Sequence, residues 1–227
     1  MMPAVSFSAD PAAWRIIVPV RGGPAGKSRL AHIEGRPLTE TERGEVALAM
    51  ARDTLRAAVS AGRGRVLVLT GDPFVASVAH ESGADVATDG GQGLNTELAG
   101  AARTVPREMG VCVVLADLPA VRPEDLGAAL DLADGVEGPG IVVPDWEGTG
   151  TALVAVTPAG RSSVVFGFGP GSATRHRRAG LLPAGLDLDR LRTDVDTSSA
   201  WDRAARLGLG ASTAALRRRL LGPPSVT

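Results

Sequence analysis

Val111-Cys112-Val113-Val114-Leu115-Ala116-Asp117-Leu118-Pro119 decides the fold class. An unbroken apolar run of this length, bounded by loop residues, describes a buried strand of a parallel sheet. Asp117 then stands at the strand's carboxyl end, the edge of an open α/β sheet where ligands bind. A carboxylate there, followed by a Leu-Pro that stops the strand, is placed to hold a divalent cation. Thr193-Asp194-Val195-Asp196-Thr197 offers two more carboxylates, Asp194 and Asp196, that could complete the site. Taken singly, Asp117 is as simply a strand terminator and Asp196 a helix cap.

Upstream of this strand, Trp14 to Val20, Arg65 to Thr70 and Asp85 to Thr88 read as strands. Between them, Thr39-Glu40-Thr41-Glu42 has capping-box spacing and opens a helix ending at Gly62, with Leu48, Ala51, Leu55, Ala58 and Val59 on one face. Pro73 suits the first turn of a second helix, and a third follows Asp89-Gly90-Gly91-Gln92-Gly93-Leu94-Asn95. Strand alternating with helix specifies a mainly parallel mixed sheet covered on both faces, a three-layer α/β fold.

The first strand feeds Arg21-Gly22-Gly23-Pro24-Ala25-Gly26-Lys27-Ser28-Arg29, a glycine-rich loop with three cations that can surround an anion. Lys27 is the only lysine in the chain, where arginine serves everywhere else. A compact ammonium meets phosphate differently from a planar guanidinium. Gly26-Lys27-Ser28 ends like a Walker A loop, but the glycine that motif needs falls on Arg21, and Gly35 and Pro37 interrupt any long helix.

Downstream, Pro123 to Leu132 reads as a helix, and Gly140 to Val143 and Ala152 to Val156 as strands. Gly148-Thr149-Gly150-Thr151 between the latter two offers two hydroxyls and bare backbone, or is an ordinary hairpin turn. Phe166-Gly167-Phe168-Gly169-Pro170-Gly171-Ser172 leads into a short helix with Arg175 one turn in, a second anion site by the same physics. His176, with no paired Cys or His nearby, reads as structural. Leu191 to Val195 reads as a short strand, Asp196 or Thr197 as a helix cap, and a last short helix follows Gly210.

The 227 residues, 44% apolar and 22% charged, suit one domain spanning 1–227, with 1–12 and 222–227 as flexible ends. A net charge of −1 and the lack of a basic stripe with aromatics argue against a nucleic-acid partner. No stretch reaches the ~18 apolar residues of a membrane span and no signal peptide opens the chain, so a cytoplasmic protein is expected. Cys112, the single cysteine, lies in the central strand as a small hydrophobe.

With these residues assembled, the chain resembles the guanylyltransferases that make the guanylylated precursor of the deazaflavin coenzyme F-420, whose members use phosphoenolpyruvate or 2-phospho-L-lactate. Six motifs in order carry the likeness: Ile16-Ile17-Val18-Pro19-Val20, Lys27-Ser28-Arg29-Leu30, Ala116-Asp117-Leu118-Pro119, Gly148-Thr149-Gly150-Thr151, Phe168-Gly169-Pro170-Gly171-Ser172 and Asp194-Val195-Asp196-Thr197. The resemblance implies a Rossmann-like nucleotidyltransferase fold. It implies that Arg21, Gly22, Gly26, Lys27 and Arg29 bind the GTP triphosphate, with Lys27 and Asp117 catalytic. It further implies that Asp117, Asp194 and Asp196 hold Mg²⁺, and that the phosphorylated acid lies near Thr149 or Thr151, Gly169 and Ser172, with Arg175 beside it. Gly93 and Asn95, with Gln92, Leu94 and the backbone at Thr70 and Gly71, could read the guanine or serve as turns and caps. Phosphoenolpyruvate is the expected acceptor, 2-phospho-L-lactate the alternative, and a downstream transferase of the coenzyme pathway a possible partner. A non-catalytic nucleotide-binding module is the competing class, and it would not need three carboxylates beside a lone lysine.

Overall fold

The computed structural model describes residues 14–20, 29–163 and 165–222. In chain order its elements are β1 (Trp14–Pro19), β2 (His32–Ile33), β3 (Arg36–Pro37), α1 (Glu40–Ser60), β4 (Gly64–Thr70), α2 (Pro73–Glu81), β5 (Asp85–Thr88), α3 (Leu94–Arg103), β6 (Gly110–Val114), α4 (Pro123–Asp134), β7 (Gly140–Pro144), β8 (Thr151–Val156), α5 (Ser172–Arg178), β9 (Leu182–Pro183), α6 (Asp189–Arg192), α7 (Ser198–Leu207) and α8 (Ala211–Leu221). Among the described residues the main sheet has seven strands in the order β5-β4-β1-β6-β8-β7-β9.

β5, β4, β1 and β6 run parallel, β9 runs parallel to β7, and β8 alone runs against its neighbours β6 and β7. The mainly parallel mixed sheet is the one expected. β6 is buried at all five positions, yet only its β1 side is a parallel pairing. The short turn from β7 to β8 makes the pair a hairpin, which must reverse direction, so the partner β8 presents to β6 is antiparallel.

The sheet's period of two sorts its side chains onto two faces. Ile16, Val18, Cys112 and Val114 pack with Leu55 and Ala58 of α1 and Leu126 and Leu130 of α4. Ile17, Val111, Val113 and Val154 pack on the other face with Leu98 and Ala101 of α3 and with Phe166 and Phe168. A third cluster, with Leu30, Ile33, Val46, Met50 and Trp201, joins the start of α1 to the β2–β3 hairpin and α7.

Local signals placed the helices well. The Thr39 hydroxyl accepts the Glu42 amide and the Glu42 carboxylate accepts the Thr39 amide at 2.9 Å, which closes the capping box that opens α1. Asp72 caps α2, its carboxylate accepting the Phe74 amide at 2.8 Å, with Pro73 in the first turn. The strand expected at Leu191 to Val195 is instead the short helix α6 followed by irregular chain. Leu191, Thr193 and Val195 are all buried, which is why they alternate like a strand. Their backbone joins no ladder, because Val195 donates instead to the carbonyl of Asp117 at 3.0 Å. The β2–β3 hairpin was not anticipated from sequence. No helix among the described residues is long and apolar enough to cross a membrane.

Candidate active site

β1 and β6 are neighbours, yet the chain builds outward from β1 through β4 to β5 before returning to β6. A crevice at the carboxyl ends of strands forms at such a reversal. Asp117 enters it three residues beyond the end of β6.

The loop that carries Asp117 is held from beneath by α1. The buried hydroxyl of Thr54 accepts the Leu118 amide at 3.3 Å and faces the carbonyls of Ala116 and Leu118 at 3.2 and 3.3 Å. From the other side, the bond from Val195 to the Asp117 carbonyl ties this loop to the segment that carries Asp194 and Asp196. One carboxylate oxygen from each of Asp117, Asp194 and Asp196 can be chosen so that all lie within 4.8 Å of one another. The three carboxylates expected from sequence are thus brought together from distant parts of the chain.

Their electrostatics suit a hard cation. Burial, followed by the charges of Asp117, Asp145 and Asp196, pushes Asp194 up from the ordinary carboxylate range to about 7. Oxygen donors with this excess of negative charge match a divalent ion that prefers carboxylates.

Asp145, not singled out from sequence, organises the β7–β8 turn. Its carboxylate accepts the Thr149 amide at 2.9 Å and the Gly150 amide at 2.7 Å, an Asp folding a glycine-rich turn onto itself. A Cβ on Gly150 would stand 2.3 Å from Asp145 Oδ2. Gly150→Ala should therefore destabilise the fold by about 1–3 kcal/mol through overpacking and disturb the turn. Thermal unfolding at wild-type midpoint would contradict this.

A cavity of about 360 Å³ opens beside the carboxylates, lined by Trp146, Thr149 and Thr151 of the β7–β8 turn and by Gly169, Pro170, Gly171 and Ser172 of the glycine loop. Asp194, Asp196, Thr197 and Arg29 also line it. Gly169 and Gly171 have φ of 119° and 71°, conformations that favour glycine and bring bare backbone to the wall.

Other predicted residues are positioned differently. Arg175 donates from Nε to the Gly167 carbonyl at 3.0 Å and from Nη1 to the Pro170 carbonyl at 2.7 Å, so it braces the glycine loop. Asn95 does the same from α3, donating to the Phe168 carbonyl at 3.1 Å and accepting the Phe168 amide at 2.8 Å. Gly93, with φ of 99°, is the N-cap residue of α3. Within α5 the Ala173 amide donates to the Thr149 carbonyl at 3.2 Å, which joins the β7–β8 turn to α5. Arg21, Gly22, Gly26 and Lys27 lie outside the described residues.

The sequence pattern of the family described as "Guanylyl transferase CofC like" matches residues 14–179. A phosphoenolpyruvate guanylyltransferase of Streptomyces avermitilis is 40% identical over 216 residues, covering 92% of this chain and 96% of that protein. One from Thermomonospora curvata is 41% identical over 213 residues, covering 91% and 90% respectively. Among solved structures, a nucleotidyl transferase from Methanothermobacter superposes with a TM-score of 0.59 at 16% identity, over 86% of this chain and 98% of that one. A 4-diphosphocytidyl-2C-methyl-D-erythritol synthase gives 0.53 at 15% identity, over 86% and 98%. At such identities the structural likeness bears on the fold, which is that of nucleotidyltransferases. The extent and identity of the sequence matches go further: the chain is an enzyme that belongs to the guanylyl transferase CofC-like family.

Proposed function

We propose that the protein transfers the GMP moiety of GTP to phosphoenolpyruvate, releasing pyrophosphate and giving enolpyruvyl-diphospho-5'-guanosine for coenzyme F-420 biosynthesis. The observation that carries this reading is the three-carboxylate cluster, two of whose members line the same cavity as the glycine loop Gly169–Gly171. The names of the relatives that match over nearly the whole chain support the choice of acceptor.

In this reading an oxygen of the acid's phosphate attacks the α-phosphorus of GTP in line. A new P–O bond forms there as the bond to the β-phosphate oxygen breaks and pyrophosphate departs. The attacking oxygen is already anionic at neutral pH, so no side chain has to take a proton. The protein's work is to align two polyanions and offset their repulsion. Asp117, Asp194 and Asp196 would hold Mg²⁺, which supplies positive charge to the phosphates when bound. Arg29 lines the cavity and would face the triphosphate. Lys27 and Arg21, with the backbone at Gly22 and Gly26, are assigned the same ligand. Gly169 and Ser172 would contact the acid, together with Thr149 or Thr151. Arg175 and Asn95 already bond the backbone of the glycine loop, and we assign them to holding that wall. The backbone around Gly93 is left to meet the guanine. A cytoplasmic setting and a downstream transferase of the same pathway follow from this role.

Base selection tests the guanylyl half of the reading. Product formation with phosphoenolpyruvate, followed by mass, should occur with GTP and fall by at least about tenfold with ATP, CTP or UTP. Equal use of another nucleotide would contradict it.

A further inference from the structure

Two hydrogen bonds define the state of His176, a fully buried side chain on α5 that the chemistry above does not use. The Gly167 amide donates to Nε2 at 2.9 Å, so Nε2 carries a lone pair. Nδ1 lies 3.0 Å from the hydroxyl oxygen of Thr151. Burial, with the neighbouring Arg175 charge adding to it, lowers His176 to about 4, so the ring is neutral near pH 7. A neutral imidazole that accepts at Nε2 bears its proton on Nδ1. Nδ1–H therefore donates to Thr151, whose oxygen is the acceptor in that contact.

The consequence falls on the Thr151 hydroxyl. Its oxygen accepts the hydrogen bond from Nδ1–H, so its own hydrogen must point elsewhere. Among the described residues no second hydrogen-bond partner engages it, and Thr151, the first residue of β8, lines the cavity. The same ring grips Gly167 through Nε2 and meets Phe168 edge-on at 5.0 Å between centroids. It thus fixes the start of β8 and the glycine loop at once.

We infer that His176 is a positioning residue for the anionic acceptor: it commits the Thr151 hydroxyl to donate into the cavity and holds the Gly167–Ser172 loop that also lines it. With the reverse tautomer, Thr151 would spend its hydrogen on the ring and turn a lone pair toward a phosphate or carboxylate oxygen, which repels it. A donor with no competing acceptor is selective for anions. The inference rests on the proposal that the phosphorylated acid occupies this cavity.

The test is a set of steady-state measurements of GMP transfer in which KM for the acid and KM for GTP are read separately. Thr151→Val, close in shape but without the hydroxyl, should raise KM for the acid about tenfold and leave that for GTP within about twofold. Thr151→Ser should restore most of the loss. His176→Gln can still accept the Gly167 amide through its carbonyl but loses the Nδ1 donor. It should raise KM for the acid to a similar degree, and the Thr151→Val/His176→Gln double variant should add little, because both changes remove the same contact.

An unaltered KM for the acid in Thr151→Val, or effects that multiply fully in the double variant, would overturn the inference. Should His176→Gln fail to fold, the Thr151→Val and Thr151→Ser pair still decides, since a donor role requires loss in the first and recovery in the second. Wild-type protein that transfers GMP while the variants keep a normal KM for the acid refutes the His176 assignment alone. Wild-type protein that transfers GMP to no phosphorylated acid refutes the proposed function on which it rests.

Discussion

Asp117→Asn should lower turnover with GTP and phosphoenolpyruvate by about a thousandfold while thermal unfolding stays within a few degrees of wild type. The two expectations separate because different atoms of the residue serve them. The loop is held through backbone groups: the Leu118 amide on Thr54, and the Asp117 carbonyl on Val195. The carboxylate is the part that joins Asp194 and Asp196, and an amide in its place is a much poorer partner for a divalent cation. Steady-state pyrophosphate release beside a thermal melt checks both. Turnover near that of wild type would remove Asp117 from the cation site.

Asp194→Asn should abolish turnover as well, yet make the cation-free protein more stable at alkaline pH. The sign follows from the carboxyl group's preference for its proton. In the folded chain it titrates at about 7, raised by burial and by Asp117, Asp145 and Asp196, whereas its ordinary value is 3.8. A raised value contributes stability that is fully present below about pH 4 and is lost as the pH climbs to about 7. At pH 8, without a divalent ion, the ionised group therefore costs the fold on the order of a few kcal/mol. Asparagine carries no charge to penalise, so the variant should melt at a higher temperature than wild type at pH 8 and close to it at pH 5. Added Mg²⁺ should stabilise wild type more at pH 8 than at pH 5 and stabilise the variant little. A variant less stable than wild type at pH 8 would show that the carboxylates do not strain one another in the folded state.

The parts of this architecture that could be read from sequence are those fixed by local physics. The apolar run of β6, the capping box at Thr39 and the Asp72-Pro73 start of α2 each declare themselves within a few residues. What escaped depends on distant partners. The direction of β8 follows from the length of a turn, and the extended chain around Val195 alternates in burial yet pairs with a loop carbonyl instead of a strand.

The site divides in the same way. Asp117, Asp194 and Asp196 could be named because each motif places an acid at a loop edge, and the fold brings them together. Which way a long side chain turns is not encoded in spacing. Arg175 and Asn95 stand where position suggested a ligand contact, and spacing alone does not show that both also bond the backbone of the Gly167–Pro170 loop. The role of Asp145 is not legible in the sequence, because its carboxylate accepts the amides of Thr149 and Gly150 only once the turn is closed.

The measurement that bears most directly on the central claim is pyrophosphate release by purified protein with GTP and Mg²⁺, run in parallel with phosphoenolpyruvate, 2-phospho-L-lactate and no acceptor. The account predicts release that depends on phosphoenolpyruvate, with a product whose mass is that of enolpyruvyl-diphospho-5'-guanosine. Release that occurs only with 2-phospho-L-lactate would contradict the acceptor assignment, and release with neither acid would contradict the proposed reaction itself.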